Sequence, residues 1–185
     1  MRKLKLDELG RLTLPDYKNA QKTPIALVLD DVRSALNVGS AFRTADAFAC
    51  QEVVLCGFTA QPPHREILKT ALGSTESVVW RHFEQTKTAL EVLNTEGYIL
   101  IAVEQAEGRI FLQNIENEIF MNEKLADAEP KFALIFGNEV EGVSEEAMKM
   151  ADFVVEIPQF GTKHSLNIAV SIGIVAWAFT KIFRT

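Results

Sequence analysis

Beyond Pro24, short apolar runs alternate with longer stretches in which apolar residues recur at helical spacing. Apolar runs of four to six residues, rich in β-branched side chains, predict buried strands. We expect strands at residues 25–29, 52–56, 77–80, 98–103, 132–136 and 153–157. Because such strands separated by helices are typical of covered parallel sheets, the pattern predicts an α/β fold: a mostly parallel sheet flanked by helices.

The stretches between the strands predict helices, whose starts are marked by proline, serine or asparagine. The predicted helices cover about residues 40–48, 62–70 and 85–95, with a further helix capped by Ser144 and a last helix that begins at Ser165 or Asn167. Residues 104–130 are polar and acidic, and a short strand or helix is expected there near residues 118–120.

Composition identifies an ordinary globular chain. Its 185 residues are 48% hydrophobic and 24% charged, unlike disordered, collagenous or coiled-coil sequences. The net charge is −6, yet residues 1–24 hold six basic and three acidic side chains. We therefore expect a basic N-terminal arm, residues 1–24, before a single acidic domain, residues 25–185. The overall charge argues against bulk attraction to nucleic acid or anionic lipid.

Several features indicate the compartment. The two cysteines form no disulfide framework and suit a reducing environment. The first ten residues contain no apolar signal region, and the apolar stretch 168–179 is too short to span a bilayer. The three histidines lack the spacing of metal ligands. We expect a cytoplasmic protein without a metal or a membrane partner.

Ligands of parallel sheets bind at the carboxyl ends of the strands, so the loops after these strands are candidate sites. The loop after the first strand leads into Asn37, Gly39 and Arg43. We place Asn37 and Gly39 just before or at a helix start, where free backbone N–H groups can hold an anion. The planar guanidinium of Arg43 could reach back toward a phosphate there. A capped helix with a surface arginine would give the same spacing.

Two later loops also carry polar residues. Gly137 and Gly142 frame the loop after the fifth strand and allow tight turning and close approach to a ligand. The acids between them suit ribose hydroxyls, amines or arginine, although surface loop acids would look the same. At the entry of the last helix, Ser165 and Asn167 are both able to cap it. The pattern allows one to cap while the other faces a ligand.

Together, the three loops resemble the three motifs of the SpoU (TrmH-like) family of RNA ribose 2′-O-methyltransferases, within the SPOUT superfamily. Asn37, Gly39 and Arg43 match the first motif, residues 136–142 the second and residues 157–170 the third. The resemblance extends over about residues 24–183. It implies a C-terminal segment that threads a deep trefoil knot, and homodimers whose active site is completed across the interface.

Two positions depart from the family pattern. Val140 stands where glycine is common in the second motif, and Gln159 stands where methionine is common in the third. Neither departure removes a polar group assigned to chemistry.

The resemblance also implies ligands and site residues. The methyl donor would be S-adenosylmethionine, the product S-adenosylhomocysteine, and no metal would take part. The implied cofactor-binding residues are Val103, Gly137, Asn138, Gly142, Ile157, Gly161 and Leu166. The implied catalytic residues are Arg43, which orients the RNA phosphate and the 2′-hydroxyl, with Asn37, Glu139, Ser165 and Asn167. RNA-binding residues are expected at Arg33, Arg43, Arg65 and Lys69.

Three other functions stay open at this point. A related knotted fold could methylate an RNA base, although the Asn-x-Gly-x-x-x-Arg motif favours the ribose. A non-catalytic RNA-binding paralogue could keep the fold, and a generic doubly wound nucleotide-binding protein would have no knot. The RNA substrate itself, tRNA or rRNA, is not specified by the sequence.

Overall fold

The computed structural model describes residues 1–120 and 130–184. Within them, seven strands form one sheet in the order β3-β2-β1-β6-β4-β7-β5, and every pair of neighbours is parallel. The strands are β1 Thr23–Asp30, β2 Cys50–Cys56, β3 Trp80–Phe83, β4 Tyr98–Val103, β5 Ile110–Phe111, β6 Lys131–Phe136 and β7 Phe153–Glu156. The predicted parallel α/β architecture is confirmed.

Helices cover both faces of this sheet. They are α1 Leu14–Asn19, α2 Ala35–Ala47, α3 Arg65–Ala71, α4 Ser74–Ser77, α5 Thr86–Thr95, α6 Glu145–Met150 and α7 Ile168–Phe183. Short 3-10 turns lie at Leu6–Leu9 and Leu112–Asn114, and a π-helical turn lies at Glu116–Phe120. The helical alternative near residues 118–120 is thus confirmed, whereas the rest of that acidic stretch, residues 121–129, lies outside the described residues.

Successive residues of the central strands face opposite sides of the sheet, which therefore carries two cores. On one side Leu27 of β1 belongs to the same cluster as Phe42 of α2 and Phe179 of α7. On the other side Val28 clusters with Leu90 and Leu93 of α5. Burial on both faces explains why the strands are continuous apolar runs.

The chain does not fill the sheet in sequence order. Strand β6 pairs with β1 on one side and β4 on the other, and β7 pairs with the far side of β4. After β7 the chain returns, because α7 packs on α2, β1 and β6. The carboxyl ends of β4, β6 and β7 are consequently neighbours.

The first predicted helix begins earlier than expected. Ser34 caps α2 by accepting a hydrogen bond from the N–H of Asn37 (3.4 Å), so the helix starts at Ala35 rather than near residue 40. Asn37 and Gly39 therefore lie inside the helix, and the expectation that their free N–H groups hold an anion is wrong. Gly39 serves packing instead, because a Cβ there would overlap Thr70 Oγ1 and the Ile67 carbonyl of α3.

Two further boundaries differ. The third strand was expected at residues 77–80 but starts at Trp80, because Ser77 ends α4 and its hydroxyl bonds to Asp46 and to the Ser74 carbonyl (3.1 Å). The helix expected over residues 62–70 starts at Arg65, after His64 caps it through Nδ1.

The two ends of the chain meet beside β1. Tyr17 of α1 is buried, and Arg184 donates hydrogen bonds to Thr23 Oγ1 (2.8 Å) and the Gln21 carbonyl (3.1 Å). Cys50 and Cys56 are free and buried, and burial raises the pKa of each thiol to about 12. No helix among the described residues is long and apolar enough to cross a membrane.

Candidate active site

A cavity of about 810 Å³ opens at the carboxyl ends of β4, β6 and β7. Three loops wall it: the loop after Val103, the loop after Phe136 and the loop that joins β7 to α7. Its volume lies within the range of small-molecule and cofactor sites. The cavity thus occupies the position that the rule for parallel sheets predicts.

The loop after β6 is closed by its own backbone. Asn138 and Gly142 exchange two N–H···O=C hydrogen bonds of 2.9 Å each. The buried Asn138 amide donates to the Asp31 carbonyl (2.9 Å) and accepts from the Val140 N–H (2.8 Å). A Cβ at Gly137 would overlap the Gly142 carbonyl group, so only glycine permits this closure.

Glu139, at the tip of that loop, connects the second motif to the first. Its carboxylate accepts hydrogen bonds from the backbone N–H groups of Arg33 (2.9 Å) and Ser34 (3.1 Å) and from Asn37 Nδ2 (2.9 Å). Desolvation acts to raise the pKa of Glu139, but these hydrogen bonds outweigh it and hold the pKa below its ordinary value. The side chain is therefore a fixed anion at neutral pH.

The third motif joins the same chain of contacts. Asn167 Nδ2 lies 3.4 Å from Asn37 Oδ1, and Asn167 Oδ1 caps α7 by accepting the Ala169 N–H (2.9 Å). The cap of the last helix is thus Asn167 rather than Ser165. Ser165 is exposed and lines the cavity, and its hydroxyl bonds to no described residue. One residue caps while the other is left facing the cavity.

Arg43 stands apart from this cluster. It lies on α2 and is exposed, outside the cavity lining, and it forms no hydrogen bond or ion pair with a described residue. A single chain therefore brings Glu139, Asn37 and Asn167 together and leaves the guanidinium of Arg43 free for a group from outside the chain. The other predicted RNA-binding side chains, Arg33, Arg65 and Lys69, are also exposed.

Most of the residues predicted to hold the cofactor line the cavity. These are Val103, Gly137, Asn138, Gly142, Ile157 and Leu166. Gly161 does not line it and lies on the exposed part of the loop that joins β7 to α7. Val140 and Gln159, the two departures from the family pattern, are also lining residues.

Sequence reasoning missed several lining residues, among them Glu104 and Gln105, which follow β4. Glu104 accepts a hydrogen bond from the Val143 N–H (3.0 Å), and Gln105 Nε2 donates to the His164 carbonyl (2.8 Å). The signal was available, because both residues stand directly after the strongest predicted strand.

The lining is acidic. It contains four carboxylates, Glu104, Glu139, Glu141 and Glu156, and no lysine or arginine within the described part of the chain. Glu156 is the one of the four that pairs with a cation, Arg109, at 2.8 Å. Such a lining favours a ligand that carries positive charge. Among the described residues, no group of three or more His, Cys, Asp or Glu side chains could hold a metal ion.

Comparison with known proteins gives one family. The model of the SpoU rRNA Methylase family matches residues 24–177. The chain is 26% identical over 166 residues to a tRNA (guanosine(18)-2′-O)-methyltransferase of Borreliella burgdorferi, which covers 90% of this chain and 70% of that protein. It is 26% identical over 159 residues to the 23S rRNA (guanosine-2′-O-)-methyltransferase RlmB of Neisseria meningitidis serogroup B, covering 85% and 58%.

Solved structures share the fold. An AdoMet-bound rRNA methyltransferase from Sinorhizobium meliloti superimposes with a TM-score of 0.77 at 24% identity, covering 91% of this chain and 61% of that chain. The TrmH/SpoU tRNA modifying enzyme of A. aeolicus gives a TM-score of 0.74 at 20% identity, with 91% and 81% covered. The chain thus spans between 58% and 81% of the length of these four proteins.

Proposed function

Because the chain belongs to the SpoU rRNA Methylase family, we propose that it transfers a methyl group from S-adenosylmethionine to a ribose 2′-hydroxyl of tRNA or rRNA. One observation carries the proposal: Glu139, Asn37 and Asn167, one residue from each motif, form a continuous hydrogen-bonded chain beside the cavity. Residues distant in sequence meet there through the fold, at the edge where such sheets bind ligands.

The residues present fit the proposed methyl donor. The cavity is large enough, its acidic lining suits a ligand with a positively charged sulfur, and a Cβ at Gly137 or Gly142 would crowd its wall. When bound, S-adenosylmethionine supplies a methyl group activated by that charge. The residues that would hold it are Val103, Gly137, Asn138, Gly142, Ile157 and Leu166, with Gly161 in the outer loop.

The protein's part in the reaction is to place and polarise the ribose. A guanidinium stays protonated in proteins, and its fork matches a phosphate. We assign Arg43 the RNA phosphate and the orientation of the 2′-hydroxyl. The proton of that hydroxyl passes to solvent water as the oxygen gains the methyl group. Asn37, fixed by Glu139, orients the substrate beside Asn167 and Ser165. Their shared effect is positioning, the main requirement when the methyl donor is already activated.

The same geometry supports a homodimer. On α7, Val170, Ile174 and Trp177 form an exposed apolar stripe, and the residues that begin this helix line the cavity. A second copy on this stripe would bury it and bring another Arg43 toward the cavity. The expected site is therefore shared between two chains.

Mixing two inactive variants tests the shared site. Arg43→Ala keeps an intact cavity and Gly137→Ala keeps an intact arginine, so a mixed dimer would contain one complete site. With random exchange of subunits we expect roughly a quarter of wild-type activity, because half the dimers are mixed and each has one good site. If the mixture is no more active than either variant alone, the arginine and the cavity of each site belong to the same chain.

We also propose a C-terminal trefoil knot, supported by the insertion of β6 between β1 and β4 and the return of α7 to β1.

RNA would bind along Arg33, Arg65 and Lys69. Since the overall charge is negative, we expect modest affinity that falls steeply with salt. We further propose that the protein is cytoplasmic and works without a metal, in keeping with its free buried cysteines.

Calorimetry combined with a transfer assay tests the proposal. The wild-type protein should bind S-adenosylmethionine and transfer labelled methyl groups to total RNA, including after treatment with a chelator. RNA binding without donor binding would instead identify a non-catalytic paralogue. Donor binding without transfer to any RNA would contradict the proposed substrate.

A further inference from the structure

Three loops form the walls of the cavity. The sheet order β6-β4-β7 places the loop after β4 between the other two. The outer loops are already joined through α2 by Glu139, Asn37 and Asn167. A second connection between them runs through the residues directly after Val103. These residues are Glu104 and Gln105.

Glu104 holds the loop after β6. Its Oε2 accepts a hydrogen bond from the Val143 N–H (3.0 Å), and its Oε1 accepts one from the Gln105 N–H (2.8 Å). Its own N–H donates to the Val155 carbonyl of β7 (3.1 Å). Gly142 has a φ of 73°, and a Cβ there would overlap Glu104 Oε2, so glycine allows the loop to approach the carboxylate.

Gln105 reaches the opposite wall. Its Nε2 donates to the carbonyl of His164 (2.8 Å), in the loop that leads to α7. Because Gln105 is exposed, this contact adds little to the core and acts on the loop alone. His164 is followed directly by Ser165, Leu166 and Asn167, which line the cavity.

We propose that Glu104 and Gln105 are positioning residues for the methyl donor: a brace that sets the distance between the loop after β6 and the loop before α7. This inference rests on the proposed function, since it assigns the donor to this cavity. Loops that are ordered before binding need less ordering on binding, which increases affinity. Loss of the brace should therefore weaken donor binding and leave RNA contacts on α2 and α3 in place.

A graded set of variants tests the brace. Glu104→Ala removes both acceptors, Glu104→Gln keeps one, and Gln105→Ala frees the loop before α7. The matched control is Glu107→Ala, an exposed carboxylate of the same segment whose side chain bonds to no described residue. Calorimetry with S-adenosylmethionine, hydrogen exchange at the Val143 amide and RNA binding are measured for each.

We expect Glu104→Ala to weaken donor binding at least tenfold and to speed exchange at Val143, with smaller effects for Glu104→Gln and Gln105→Ala. Glu107→Ala and all RNA affinities should match wild type. In turnover, the KM for the donor should rise while the KM for RNA stays constant, whereas general loss of structure would change both and lower the Tm. If Glu104→Ala does not fold, Glu104→Gln carries the test.

Two results separate the brace from the proposed function. Wild-type donor affinity together with unchanged Val143 exchange in Glu104→Ala would overturn the brace. If the wild-type protein binds no S-adenosylmethionine, the proposed function fails. The brace is then judged by exchange alone, which Glu104→Ala must still speed up at Val143.

Discussion

The helix α2 and the loop after β6 each contain a glycine and an asparagine, but these residues have different structural roles in the two regions. Gly39 lets α2 pack closely on α3, whereas Gly137 lets a loop close on itself. Asn37 projects from the helix to meet Glu139, whereas Asn138 turns its amide back into its own loop and onto Asp31. Under the proposed function the helix offers its side chains to the substrate, whereas the loop shapes the cavity with its backbone.

This difference separates the effects of mutations in the two regions. On α2, a change should affect either stability, at the buried positions, or the reaction, at the exposed ones. In the loop, a change at the glycines that close it should affect donor binding first, whereas a change at Glu139, which bonds to the start of α2, should affect stability. The four variants below test that separation, in order of decreasing effect.

Arg43→Ala should lower methyl transfer on the order of 100-fold, the scale of removing one preorganised charged donor from an active site. Donor affinity should stay within twofold of wild type, because Arg43 lies outside the cavity lining. Steady-state rates and calorimetry measure the two quantities. Arg43→Lys, which keeps the charge without the fork, should recover little activity. Near wild-type transfer by Arg43→Ala would remove this residue from the site.

Gly137→Ala should weaken donor binding more than tenfold, because the new Cβ overlaps the Gly142 carbonyl and opens the loop. Gly161→Ala is its matched control, because Gly161 lies outside the cavity lining and no atom lies within 4 Å of the added Cβ, so its backbone stays available to the donor. Calorimetry should show near wild-type affinity for the control. Equal losses in both variants would mean that loop closure does not determine affinity.

Gly39→Ala should lower the free energy of unfolding by about 1–3 kcal/mol, the usual cost of overpacking a tight contact. Denaturant unfolding measures this loss, and the folded fraction should bind the donor normally. Ser40→Ala, one position along the same helix, removes only a local hydrogen bond to the Leu36 carbonyl and should have little effect. A specific loss of donor binding in Gly39→Ala would contradict the division between helix and loop.

Glu139→Gln should cost roughly 1 kcal/mol of stability or less, because hydrogen bonds at an exposed carboxylate are weakened by solvent. The pKa of Glu139 is lowered from 4.5 on folding, so the stabilisation is complete above pH 4.5 and declines as the pH falls through the folded pKa. The stability difference from wild type should be constant between pH 8 and 5 and shrink below pH 4.5. Glu141→Gln, in the same loop, is the control. If the stability difference between Glu139→Gln and wild type changes between pH 6 and 8, a group other than Glu139 is titrating.

Local pattern predicted most elements because burial on both faces leaves a plain signal in the strands. It misplaced the start of α2, although Ser34, three residues before Asn37, is an ordinary capping residue. It also gave no order for the strands. The insertion of β6 between β1 and β4 depends on long-range pairs, such as Ile25 with Phe132 and Ile99 with Phe132.

The site residues show the same distinction between what a local pattern predicts and what long-range contacts determine. The resemblance supplied Glu139, Asn37 and Asn167, and the fold joins them. No local pattern marks the contact of Glu104 with Val143, 39 residues away, or the contacts of the buried Asp30, which accepts the Ser144 N–H at 2.9 Å and the Thr86 hydroxyl. Such contacts form only when the fold brings the loops together.

The chemical position of the transferred methyl group tests the central claim most directly. RNA labelled by the wild-type protein and donor is hydrolysed with alkali, which cannot cleave beside a 2′-O-methylated ribose because the attacking hydroxyl is blocked. We predict that the label appears in alkali-resistant dinucleotides and is absent with Arg43→Ala. Label in mononucleotides would indicate methylation of a base and would contradict the assignment of Arg43 to the ribose and its phosphate.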